Sequence, residues 1–259
     1  MSNSILPSDP RALRQLIREG LYTGPTRGLA PGRIQCNLVV LRQSHAADFL
    51  LYCQRNSKAC PLIEATGPGD PEPRCSAAGA DLRTDLPRYN VFRNGRCEAE
   101  PKDIISLWEP DHVAFLLGSG MSSDDALQRA GIPTDSHRWV LRSAVPTEPA
   151  GPFRGNLIVT MRWLTSRQAI QAVRITARYP LHHGAPFHIG DPAAIGADLQ
   201  APLFGGPVPE KPRDQIALFW PCGVTPQSSA ESAALDLMIT HAPAHAFITD
   251  LLADEHATG

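Results

Sequence analysis

Twice in this chain a short apolar run is followed at once by a segment that suits a helix. Residues 36–42, CNLVVLR, lead through Ser44 into HAADFLLYCQRN. Residues 155–164, GNLIVTMRWL, lead to Ser166 as a cap for RQAIQAVRITARYP, in which Ile170, Val173 and Ala177 recur at helical spacing. A buried strand feeding directly into a helix, twice, predicts an α/β protein with a mixed, twisted sheet flanked by helices.

The remaining punctuation fits that class. Asp9 caps a helix that has Pro10 at its first position, buries Leu13, Leu16 and Ile17, and stops at Gly20. RYNVFRNGRCEAE has the form of a hairpin turning at Asn94-Gly95. DHVAFLLGSGMSSDDALQRAG gives a strand, a glycine-serine turn and a short helix capped by Ser122 or Ser123, and QIALFWPCG gives a strand ending at Cys222-Gly223. The closing MITHAPAHAFITDLLA holds a loop and then a helix or strand. We expect residues 1–259 to form one unit, with a smaller α+β lobe drawn from about 81–131, and we find no repeat at a fixed sequence period.

Composition removes several function classes. The 259 residues are 42% hydrophobic, which suffices for a core, and the 24 basic and 26 acidic residues form no long single-sign run. A nucleic-acid or membrane-surface partner is therefore not expected. No apolar run reaches the roughly 18–20 residues that span a bilayer, and MSNSILP lacks a signal peptide's basic-then-apolar order, so the expected location is the cytoplasm. The six cysteines form no CxxC pair and read as free thiols. The expected partner is a small-molecule carboxylate, with a homo-oligomer as an open alternative.

The chemistry concentrates in loops. HHGAPFHIGDP, residues 182–192, supplies His183 and His188, and a second loop supplies His241 and His245. Imidazole titrates near neutrality, which suits proton transfer, but two loop-locking pairs would have the same spacing. Asp191 either orients an imidazole or forms an Asx-turn before Pro192. Cys222 is a nucleophile at a sharp turn or an inert buried thiol. Arg162 anchors a substrate carboxylate or forms a structural ion pair. Asn37, Arg162 and Cys222 sit at strand ends, where open α/β sheets place ligands. His241 and His245 have the spacing of a metal pair, but Pro243 disfavours the helix that would align them. No cofactor is assigned, with a divalent metal as the open alternative.

Seven blocks in order, NLVVL, ADFLLYCQRNSKACPLIE, ADLRTDLPRYNVFRNG, PAGPFRGNLIVTMR, RYPLHHGAPFHIGDPAAIG, WPCGVTPQ and ITHAPAHAFITDL, resemble the signature blocks of the D-glutamate cyclase-like hydro-lyase family across almost the whole chain. The resemblance implies a hydro-lyase acting on a small carboxylate, with D-glutamate and 5-oxo-D-proline as the substrate pair. It implies His183 and His188 for proton transfer, Asp191 as their orienting carboxylate, and Arg162 as the anchor. His241 and His245 would shape the opposite wall, with Asn37 and Thr225 among the substrate contacts. The chain departs from the family where Gly-Cys-Ser-Phe-Ser-Phe-Glu is usual: Gly118-Ser119-Gly120-Met121-Ser122-Ser123-Asp124 stand there, without the cysteine and both aromatics. Arg33 stands where a tyrosine is usual, and Ala244 replaces a glycine. Two alternatives follow: a carboxylate-binding member that has lost its reactive loop, and an acyl-transfer enzyme working through Cys222.

Overall fold

The computed structural model describes residues 6–134 and 138–258. The α/β class holds, and the strands divide between two sheets. The first runs β2 (Leu62–Ala65), β5 (His112–Gly118), β1 (Arg33–Arg42), β10 (Met238–His241), β3 (Tyr89–Arg93), β4 (Arg96–Ala99), with β11 (Phe247–Leu252) also on β1. The second runs β6 (Trp139–Pro146), β7 (Asn156–Thr165), β9 (Gln215–Pro221), β8 (His188–Ile189). Every pairing among the described residues is antiparallel. The strands NLVVL and LIVTM thus lie in different sheets, and the strands of residues 81–131 join the first.

Buried runs commonly signal a parallel strand covered on both faces. Here β1 is antiparallel, yet it separates two cores: Ile34, Cys36, Leu38 and Val40 enter one, Val39 and Leu41 the other. That double burial explains why its sequence shows a continuous apolar run rather than alternation.

Local signals place most elements. Asp9 accepts from the Ala12 amide at 2.8 Å to start α1 (Pro10–Arg18). Asn94 and Gly95 both take positive φ, the two-residue turn that joins β3 to β4. The helix after β7, α4 (Ser166–Ala177), starts one residue earlier than expected. Its N-cap is Thr165, in a reciprocal capping box with Gln168. Its buried face is Ala169, Ala172 and Thr176, whereas Ile170 is exposed. The helix after β1, α2 (Gln43–Arg55), begins at Gln43 without a side-chain cap. The C-terminal segment forms strands β10 and β11.

The connectivity repeats although the sequence does not. β1, α2, β2, β5, the short helix α3 (Asp124–Arg129) and β6 come in that order in the first half, with the β3–β4 hairpin inserted between β2 and β5; β7, α4, β8, β9, the short helix α5 (Thr225–Ala233) and β10 come in the same order in the second. The sheet orders β2-β5-β1-β10 and β8-β9-β7-β6 are the same pattern, with the last strand of each half exchanged onto the other sheet. Hydrogen bonds agree at the matching turns. The Ser119 amide donates to the Gln35 carbonyl at 3.0 Å and the Cys222 amide to that of Ile158 at 2.9 Å. The Ser122 hydroxyl accepts from the Gln35 amide at 2.8 Å and the Thr225 hydroxyl from that of Ile158 at 3.2 Å. The two halves repeat one connectivity with their terminal strands swapped, while the β3–β4 hairpin and β11 have no counterpart.

Candidate functional site

Period-two alternation on β7 sends Val159, Met161 and Trp163 into one core and leaves Thr160 and Arg162 on the other face. That face meets the turn after β5 and the loop after α4. Together they line a small, partly open cavity of about 20 Å³, bordered by Gly120, Ser123, Asp124, Arg138, Thr160, Arg162, His182, His183 and Trp220 among others.

Charge dominates one wall. Arg162 donates from Nη2 to Asp124 Oδ1 at 2.8 Å, and its Nη1 donates to the Pro133 carbonyl at 3.0 Å. Arg138 meets the other carboxylate oxygen at 3.3 Å and Arg27 approaches it at 3.9 Å. Burial lowers the Arg162 guanidinium to about 10, against the opposing pull of Asp124, so it stays charged at neutral pH. Of the groups that line the cavity, two guanidiniums, Arg138 and Arg162, share the one carboxylate of Asp124, an excess of one positive charge among the described residues. Buried charge left without a counter-charge costs several kcal/mol.

The matching half carries other residues at the stations of this cluster. Aligned from their strand-helix junctions, β1 and β7 put Val39 where Arg162 stands, and the matching turns put Gln227 where Asp124 stands. Continuing the β6 register one residue beyond the Trp139–Met161 pair matches Arg138 to Thr240, which pairs with Val39. Phe49 of α2 corresponds to Ala172 of α4 and Cys53 to Thr176. In the first half Val39, Phe49, Cys53 and Leu117 form packed core. In the second, small and charged residues at the same stations leave the cavity.

His183 closes the opposite wall at φ 74, left-handed backbone that histidine seldom adopts. Its Nδ1 lies 2.7 Å from the Lys58 carbonyl. A carbonyl only accepts, so Nδ1 carries the proton and Nε2 keeps a lone pair. Burial lowers its pKa to about 4, with Arg138 adding to the shift. His182 lines the cavity beside it, lowered to about 3, chiefly by burial.

The structure brings together His183 and Arg162 of the residues expected from sequence, and gives the others different surroundings. His188 lies on β8 with Nε2 2.9 Å from the Asp191 carbonyl; its ring packs on Phe219. The Asp191 carboxylate accepts from the Ala193 amide at 3.0 Å, the Asx-turn arrangement, rather than from an imidazole. Cys222 is a buried free thiol among Val140 and Ile158. Thr225 bonds the Ile158 and Cys222 backbone, and Asn37 donates to the Gly118 carbonyl at 3.0 Å. His241 accepts from the Leu38 amide at 3.3 Å, and His245 lies 2.8 Å from the Pro243 carbonyl. None of these seven lines the charged cavity. Asp124, Arg138, Arg27 and His182 were not anticipated. One signal was present for Asp124: it stands where the family block ends in glutamate, so the carboxylate persists although its neighbours change.

These pKa shifts have a sign for stability. His182, His183 and His241 fall from 6.5 to about 3, 4 and 4, mainly by burial. Between pH 6.5 and 4 the unfolded chain takes up protons that the folded chain refuses. Stability is complete above pH 6.5 and declines on acidification towards 4, by up to about 1.4 kcal/mol per pH unit for each histidine. Urea melts at pH 7.5 and 5 test this; equal stabilities would contradict it.

Comparison with known proteins places the chain. The D-glutamate cyclase family profile matches residues 113–250. Proteins named "Putative hydro-lyase" are similar over most of their length. The one from Stutzerimonas stutzeri is 48% identical over 93% of each chain. That from Cupriavidus taiwanensis is 48% identical over 96% of this chain and 95% of its own. That from Bacillus licheniformis is 46% identical over 93% of this chain and 94% of its own. The chain belongs to the D-glutamate cyclase family.

Proposed function

We propose that this protein is a hydro-lyase acting on a small carboxylate, and that its reaction interconverts D-glutamate and 5-oxo-D-proline with loss or gain of water. The observation that carries the reading is the pair of guanidiniums, Arg138 and Arg162, that share one carboxylate and face a neutral imidazole whose lone pair is fixed on Nε2. The family and the names of the relatives support the reaction class. D-Glutamate, with two carboxylates and an ammonium, carries one net negative charge, which matches the excess of the cluster. Arg162 and Arg138 hold the α-carboxylate through paired N–H donors. Their positive field lowers the pKa of the substrate ammonium and favours the free amine that must attack.

His183 then moves two protons. Nε2 takes the first from the ammonium, freeing its lone pair, and passes it to a γ-carboxylate oxygen. The nitrogen attacks the γ-carboxyl carbon, a C–N bond forms, and the nitrogen's second proton follows the same route. The C–O bond breaks and that oxygen leaves as water. In reverse, Nε2 activates water against the lactam carbonyl. Asp124 holds the guanidiniums in place rather than touching the reacting atoms.

Incubation of purified protein with each enantiomer of glutamate and 5-oxoproline, followed by chiral chromatography, tests the assignment. Interconversion of the D-compounds is expected. Binding by calorimetry without turnover would instead identify a carboxylate-binding member, and neither binding nor turnover would remove the substrate pair.

A further inference from the structure

His182 plays no part in the proton transfers above, yet its surroundings call for a ligand. Four histidines are buried among the described residues: His112, His182, His183 and His241. Each of the others has a ring nitrogen in a hydrogen bond, to the Glu109 amide, the Lys58 carbonyl and the Leu38 amide in turn. Both ring nitrogens of His182 lack a hydrogen-bond partner among the described residues, although the residue is only 2% exposed and lines the charged cavity. A neutral imidazole presents one donor and one acceptor, and leaving both unmet in the interior destabilises the free protein.

The ring is also held in place. It stacks on Tyr179 with centroids 5.4 Å apart and planes 10° from parallel. The Tyr179 hydroxyl donates to Asp254 Oδ1 at 2.6 Å, and the His182 amide donates to the Tyr179 carbonyl at 2.9 Å. An unsatisfied polar group fixed in a cavity wall is the arrangement of a binding contact made ready before the ligand arrives.

We propose that His182 contacts the substrate, its ring N–H donating to the γ-carboxyl oxygen as that oxygen gains charge in the tetrahedral intermediate. His182 gives up no proton; it stabilises charge while His183 transfers protons. The identity of the oxygen rests on the glutamate and 5-oxoproline reading, whereas the contact itself rests on the cavity.

His182→Phe keeps a planar ring on Tyr179 and removes both nitrogens. It should melt at or above the wild-type temperature while kcat/KM for D-glutamate falls roughly 100- to 1,000-fold, the effect of losing one such donor. His182→Gln, which keeps a donor, should retain more activity than the phenylalanine variant. In the wild type, titration with glutarate, a five-carbon dicarboxylate, should shift the ring 15N resonances of His182. A phenylalanine variant that melts well below wild type or fails to fold would show that the nitrogens have partners in the free protein, and would overturn the proposal. So would a folded variant keeping more than a tenth of wild-type kcat/KM, or bound glutarate that leaves those resonances unmoved. Wild-type protein that turns over neither compound would defeat the substrate reading alone, with the melts and the glutarate titration still deciding His182.

Discussion

Replacing His183 with asparagine is expected to lower kcat/KM by about 100- to 10,000-fold, equivalent to roughly 3–5 kcal/mol of transition-state stabilisation. Asparagine is the informative substitution because it tolerates the left-handed backbone at this position, where φ is 74. Folding should suffer less. The side chain gives up one buried hydrogen bond, to the Lys58 carbonyl, worth about 1–3 kcal/mol when its partner is left unmet. His188→Asn is the matching control. His188 bonds the Asp191 backbone outside the cavity, so activity should stay within a few-fold of wild type once the variant is folded. Steady-state kinetics with thermal melts on both variants decide the matter. The opposite ranking would move the proton-transfer group to the His188–Asp191 loop.

Asp124→Asn is expected to be among the most destabilising single substitutions in the molecule. It leaves Arg138 and Arg162 without their shared carboxylate, and breaking a buried ionic group in this way costs about 3–5 kcal/mol. The duplicated half supplies the rescue. Asp124→Gln, Arg138→Thr and Arg162→Val together copy the counterparts Gln227, Thr240 and Val39. Those counterparts already satisfy one another: Gln227 Nε2 donates to Thr240 Oγ1 at 2.9 Å, and Val39 is core. The triple variant should recover most of the stability lost in Asp124→Asn while binding no carboxylate. Urea melts and calorimetry with 5-oxo-D-proline measure the two outcomes. A triple variant less stable than Asp124→Asn would mean that the ionic cluster is part of the framework of the fold rather than of a site.

The elements visible in the sequence were those set by local chemistry. Asp9, the Asn94-Gly95 turn and both strand-to-helix junctions act within a few residues. The division into two sheets was hidden because it depends on partners far apart, such as Val39 with Thr240. The duplication was hidden for a related reason. Its matching stations hold Val39 and Arg162, or Phe49 and Ala172, so backbone geometry persists where side-chain chemistry has diverged. Of the site, Arg162 and His183 were legible as a cation after an apolar run and a histidine in a glycine-rich loop, although Arg162 lies within β7 rather than at its end. Pairing histidines by spacing drew attention to His188, which the fold uses in a loop, and away from the adjacent His182. Asp124 was obscured because the block containing it departs from the family pattern at most other positions.

The most direct test is a crystal structure with 5-oxo-D-proline bound. The account predicts its carboxylate against the guanidiniums of Arg162 and Arg138, and its ring nitrogen or carbonyl carbon facing His183 Nε2. A well-ordered ligand instead seated by His188 and Asp191, or against Cys222, with the charged cavity unchanged, would contradict it.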